Sequence, residues 1–211
     1  MKTPRNSYNY LEKYINSLIA KYITPHVTSL NKPSIYDNDV RAFCVLTHAA
    51  FEGYLEELAL YAMDWSFKRY TNTGKITRPL LMLVLCYGDR NDVKKHISNF
   101  DNWSTMKASD VLRNSINDVM KAHSNKIKNN NGFSLKYCSD ILLPVAINAP
   151  NNGKLTSAVD SLKDYRGLYA HTHRNYGKII KSTSPNDVKD VVTDCLKFCE
   201  NIRDSALQVC R

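Results

Sequence analysis

Residues 37–65 read DNDVRAFCVLTHAAFEGYLEELALYAMDW, and within them Phe43, Thr47, Ala50, Tyr54, Leu58, Tyr61 and Trp65 recur at intervals of three and four. A helix of 3.6 residues per turn returns to the same side at those intervals, so this stretch is one long helix with an apolar face. It follows a turn-like stretch, Asn31 to Asn38, from which Asp37 or Asp39 is placed to cap the first free N–H groups.

Toward the N-terminus, Tyr8, Leu11, Ile15, Leu18, Ile19, Tyr22 and Ile23 form a second amphipathic stripe, which Pro25 ends or kinks. Toward the C-terminus, periodicity cannot assign the apolar run Thr77 to Tyr87, although its Leu and Met content leans helical. Val111, Leu112, Ile116, Val119 and Met120 make Ser109 to His123 helical, and the Lys and Asn tract Lys121 to Asn131 reads as an exposed loop, solvated or touching a phosphate backbone. A short helix over Ser134 to Ile147, a loop over Asn148 to Gly153 and a helix from Lys154 to about Tyr169 follow. Ser184, Pro185 and Asp187 then start a last helix that runs nearly to residue 211.

The implied fold is an all-α helical bundle with one domain over residues 1–211, a length sufficient for a sizeable core. Composition agrees, because seven Gly and seven Pro leave little material for turn-dense β architecture. The polar opening Met1 to Tyr10 leads us to expect an unexported, cytoplasmic protein. No membrane span is expected, since the longest uncharged apolar run, Pro79 to Tyr87, falls far short of the roughly 20 residues a bilayer requires. Six cysteines form no C-x-x-C pair, and Cys195 and Cys199, one turn apart, read as small core residues with free thiols. The formal charge of +9 favours a polyanionic partner, or serves solubility alone.

One window concentrates chemistry. Lys163-Asp164-Tyr165-Arg166-Gly167-Leu168-Tyr169-Ala170-His171-Thr172-His173-Arg174-Asn175 holds two Arg, two His and aromatic residues within thirteen positions. Cleaving an RNA phosphodiester without metal needs a proton shuttle and a fixed cation to offset charge on the phosphorane. Histidine titrates near neutrality and arginine offers a planar fork to two phosphate oxygens. On an ideal helix residues five apart point about 140° from each other, so Arg166 and His171 converge only where the helix ends or the Arg curls back, for which Gly167 could permit a local departure.

Arg166 and His171, with four residues between them and Ala170 before the His, resemble the signature of the HEPN superfamily of helical ribonuclease toxins. The wider pattern is similar to the RiboL-PSP-HEPN branch: Asn131-Gly132, then Leu142-Leu143-Pro144, then Arg166-Gly167 and Ala170-His171. Upstream, Arg41 to Leu58, centred on Ala49-Ala50-Phe51-Glu52, looks like the family's early acidic helix, so the resemblance covers about Arg41 to Arg174. It departs where the family commonly has a polar residue after the Arg, here Gly167, and where some members carry Tyr two residues beyond the His, here His173.

The resemblance implies a bundle that dimerises so that two motifs face one cleft, cutting RNA without metal or cofactor to leave a cyclic phosphate. Arg166 and His171 are then catalytic, in a toxin or phage-defence ribonuclease with RNA as substrate and an antitoxin or defence protein as possible partner. The alternative is a catalytically silent HEPN-like module that dimerises and binds RNA or protein.

Four further residues have two readings each. His173 and Arg174 contact RNA or sit at an exposed helix end where cations suit the dipole. Glu52, four residues after His48 and on its helical face, orients Arg166 or is an ordinary exposed acid. Tyr169 stacks on a base or belongs to the core. Arg90 and His96 satisfy the loose motif, but no matching pattern surrounds them and they read as a decoy. No clustered signature such as H-E-x-x-H supports a metal-dependent enzyme.

Overall fold

Thr3 accepts a hydrogen bond from the Asn6 N–H at 3.4 Å and Pro4 occupies the first turn, which together start helix α1, Pro4–Leu18. The structure is a computed structural model describing residues 2–27, 32–88, 108–130, 132–170 and 183–211; among them all regular structure is helical. Tyr8, Leu11, Ile15 and Leu18 form the buried face of α1, as their spacing requires. Beyond Leu18 the chain widens into a π-type turn, Ile19–Ile23, and continues as α2, Thr24–Val27. Pro25 therefore lies inside the helical run, which continues past it to Val27. A proline ring crowds the carbonyl four residues back, and the wider turn relieves this: the Thr24 N–H reaches five back to the Ile19 carbonyl, which also accepts from Thr24 Oγ1 at 3.2 Å.

Helix α3 spans Pro33–Thr73 and is 41 residues long. It begins earlier than its sequence suggests, with Lys32 in extended backbone and Pro33 in the first turn, so neither Asp37 nor Asp39 is its cap. Both lie inside the helix. Asp37 pairs with Arg41 one turn on, at 2.6 Å, and Asp39 Oδ2 lies 2.8 Å from His26 Nε2 of α2. Gly74 ends the helix in the left-handed conformation, φ +69°, with its N–H on the Tyr70 carbonyl.

The remaining helices are α4, Arg78–Tyr87; α5, Ala108–Lys128; α6, Leu135–Leu142; α7, Gly153–Ala170; and α8, Pro185–Val209. The Lys and Asn tract is not a loop as far as Lys128, because α5 runs through it. Ile116, Val119, His123 and Ile127 continue a buried stripe beneath the polar residues, and Lys126 reaches Asp140 of α6 at 3.0 Å. Helix α6 is shorter than its apolar residues imply: a tight turn at Leu143–Val145 and Ala146 at φ +59° redirect the chain after Leu142. Asn152 Oδ1 caps α7 by accepting from the Lys154 and Leu155 N–H groups at 3.0 and 3.3 Å. Ser184 and Pro185 open α8 as the sequence indicates, though the Ser184 side chain makes no capping bond.

Helix α3 is the axis of the bundle, with α1, α7 and α8 packed along it and α4, α5 and α6 against its remaining sides. This explains why its burial exceeds one stripe: Cys44, His48, Phe51, Leu55, Ala59 and Ala62 are buried alongside Phe43, Thr47, Tyr54 and Leu58. Ala50, Tyr61 and Trp65, by contrast, are only part-buried. Phe133 joins the layers, stacking on Phe51 at 5.0 Å between ring centroids and meeting Phe198 of α8 edge-on at 6.2 Å. Cys195 and Cys199 are fully buried free thiols of α8. No helix of the described residues is long and apolar enough to cross a membrane.

Candidate functional site

Arg166 lies on the last turn but one of α7 as described, four residues before Ala170, and its side chain is part-buried on the wall of a cleft of about 610 Å³. Lys163, Asp164, Gly167 and Leu168 share that wall; His48 of α3, the Gly132–Ser134 turn and Tyr137 of α6 form the other. The volume lies within the range of ligand pockets. No carboxylate pairs with Arg166 within 4.0 Å among the described residues, so its guanidinium keeps its donors for something in the cleft.

The opposite wall is held by a backbone turn. Gly132 has φ +133°, open to glycine alone among residues without strain, and a Cβ there would lie 3.4 Å from His48 Cε1. This close approach lets the Phe133 N–H donate to His48 Nε2 at 3.1 Å while the Phe133 ring enters the core. Asn130 Nδ2 steadies the turn from the other side by donating to the Gly132 carbonyl at 3.3 Å. Ser134 then starts α6, accepting from the Tyr137 N–H at 3.4 Å.

His48 is 3% exposed. Burial, and next the nearby Arg166 charge, push its imidazole down to about 4. With Nε2 occupied by a backbone donor, the ring proton of the neutral form sits on Nδ1. A ring that stays neutral at pH 7 with one nitrogen committed to the backbone is a wall of the cleft and is poorly suited to shuttle protons.

Of the residues singled out in the sequence, Arg166 stands in the cleft, while His171, His173 and Arg174 lie outside the described residues, as do Asn131 and the Arg90–His96 pair. Gly167 makes no local departure: it keeps helical backbone within α7, and a Cβ there would meet nothing within 4 Å. Glu52 is part-buried and makes no ion pair with Arg166; it sits near Glu56, whose carboxyl is raised by burial first and by the Glu52 charge to a lesser degree. Tyr169 is 6% exposed, its hydroxyl 3.0 Å from Thr183 Oγ1 and its ring 5.3 Å from the Arg41 guanidinium. It is a core tyrosine, and its ring is not open to a base.

The fold and the cleft can now be set beside known proteins. The RiboL-PSP-HEPN family model matches residues 6–208. The chain belongs to the RiboL-PSP-HEPN family. The match takes in most of α1 and most of α8, both outside the stretch Arg41 to Arg174 that carries the sequence resemblance. No significant match is found among curated proteins or among solved structures. Membership in a HEPN family points to a nuclease or RNA-binding function.

In this HEPN chain Gly132 of the Asn-Gly step and the Arg166-Gly167 step, read as separate pieces of a pattern, lie on opposite walls of one cleft. Lys163 opens the window that concentrates chemistry but has no role assigned from sequence, and His48 and Tyr137 are not recognisable as cleft residues. His48 carries only its spacing to Glu52 as a signal, and Tyr137 carries none, because a tyrosine in the third position of a short amphipathic helix looks like any other core contributor.

Proposed function

We propose that the protein is a metal-independent endoribonuclease in which Arg166 and His171 act on one scissile phosphate. His171 takes the proton from the ribose 2′-hydroxyl or delivers one to the departing 5′-oxygen, as the 2′-oxygen bonds to phosphorus and the bond to the 5′-oxygen breaks. The products are a 2′,3′-cyclic phosphate and a 5′-hydroxyl. Arg166 offsets the charge that builds on the phosphorane oxygens. The observation that carries this reading is the placement of Arg166: part-buried in a cleft, beside Lys163, with no carboxylate neutralising it among the described residues. His48 supports it indirectly, since it is held neutral and bonded to backbone and leaves acid–base work to a histidine elsewhere.

The reading includes a homodimer in which two clefts face each other across a two-fold axis, and a toxin or phage-defence setting in which a second protein restrains the activity. Incubating total RNA in EDTA with the wild type, Arg166→Ala and His171→Ala tests the chemistry. Cleavage with cyclic-phosphate ends by the wild type alone, at unchanged melting temperature of the variants, is the expected result. Full activity in His171→Ala would refute it, and RNA binding without cut products by the wild type would make the chain a catalytically silent module.

A further inference from the structure

We propose that Tyr137 is the base-stacking residue of this cleft, which takes one unpaired RNA nucleotide with its base on the Tyr137 ring and its phosphate against Arg166 and Lys163. The inference rests on the cleft being an RNA site and names the part of the RNA it holds. Tyr137 differs from tyrosines committed to the interior. Tyr54 donates its hydroxyl to the Cys199 carbonyl at 3.3 Å, Tyr87 is bonded to His123 at 3.0 Å and Tyr169 to Thr183 at 3.0 Å. The Tyr137 hydroxyl has no partner among the described residues, and its side chain is only part-buried and lines the cleft.

The two walls differ in chemistry. One carries the cations Arg166 and Lys163 with the single acid Asp164, and the other an aromatic ring beside a glycine turn. A phosphate finds charge-assisted donors on the first wall. A base finds on the second a flat apolar face, whose stacking is indifferent to base identity because every base has a π-face. The close approach of Gly132 to the Tyr137 ring, whose Cδ2 lies 3.9 Å from a Cβ built at Gly132, leaves no side chain of that residue between the ring and the cleft. A base paired and stacked in a duplex cannot present its face to the ring, so the nucleotide held here is unpaired.

The test uses the full chain and a short single-stranded RNA whose 2′-hydroxyls are methylated, so that binding is read without cleavage. Tyr137→Leu and Tyr137→Ala should each weaken binding about tenfold, the effect of losing one stacked base, while Tyr137→Phe binds like the wild type. The same sequence as a duplex should bind alike to all four proteins. In the unaltered protein, 5-iodouridine placed along the strand should photocrosslink to the peptide containing Tyr137, a result independent of how any variant folds. Crosslinks that map to other peptides, no crosslink in a complex that still forms, or a Tyr137→Leu that binds normally would each overturn the proposal. An unchanged Tyr137→Leu beside a cleavage-dead His171→Ala refutes stacking and spares the ribonuclease; Tyr137-dependent binding with no cleavage does the reverse.

Discussion

Gly132 and Gly167 face the same cleft and have opposite constraints. Gly132 holds φ +133° with His48 against it, whereas Gly167 has helical backbone and open space where a Cβ would go. Gly132→Ala should therefore destabilise the protein by about 1–3 kcal/mol through backbone strain. Gly167→Ala should stabilise it by about 0.5–1 kcal/mol, since alanine has less freedom to lose on joining a helix. Urea denaturation of the two variants checks both signs, and a neutral Gly132→Ala would contradict the assigned turn. The sequence made the Asn-Gly step recognisable and offered Gly167 only as a place where the helix could depart locally. Glycine alone does not say whether its freedom is used, and only the neighbours at each position decide that.

At the scale of the element, α5 shows how a polar surface conceals a continuing helix. Nine of the eleven residues Lys121 to Asn131 are Lys, Asn, Ser or His, and composition reads them as a loop. The buried positions His123 and Ile127 nevertheless continue the stripe set by Ile116 and Val119, and two well-placed residues suffice to hold two turns against the bundle. Ile127→Ala should cost about 3 kcal/mol, the usual effect of emptying a buried aliphatic site. Lys121→Ala should stay within about 0.5 kcal/mol, because that side chain is exposed. Chemical denaturation distinguishes this from a loop, in which neither change would matter. Helix α3 is likewise longer than its sequence suggests, at its start: Asp37 and Asp39 are good caps in the abstract, while Pro33 and an extended Lys32 start the helix earlier and leave those acids to pair with Arg41 and His26.

Across the whole molecule, two buried histidines tie stability to pH. Burial holds His48 and His123 neutral, each down to about 4, whereas the unfolded chain takes up their protons near the ordinary value of 6.5. Between those limits the unfolded state binds more protons than the native one, so stability is full above about pH 6.5 and is lost as pH falls toward 4. Each histidine contributes up to about 3 kcal/mol to that loss. The melting temperature by calorimetry should thus drop on going from pH 7 to pH 5, and a flat profile over that interval would contradict the burial of both rings. Because His48 is also a wall of the cleft, acid should loosen the Gly132–Ser134 turn together with the core around Phe133.

The sequence by itself determined that the chain is helical, where its long central helix lies, and which family pattern it carries, because three- and four-residue periodicity and short motifs are local properties written in neighbouring positions. The tertiary structure alone decided which residues share the cleft. His48, the stretch from Gly132 to Tyr137, and Arg166 come from three separate segments, and they meet because α6 and α7 pack against α3, with Phe133 anchoring the turn between Phe51 and Phe198. Such packing is a sum of many small contacts between distant positions, and no single stretch of chain encodes it.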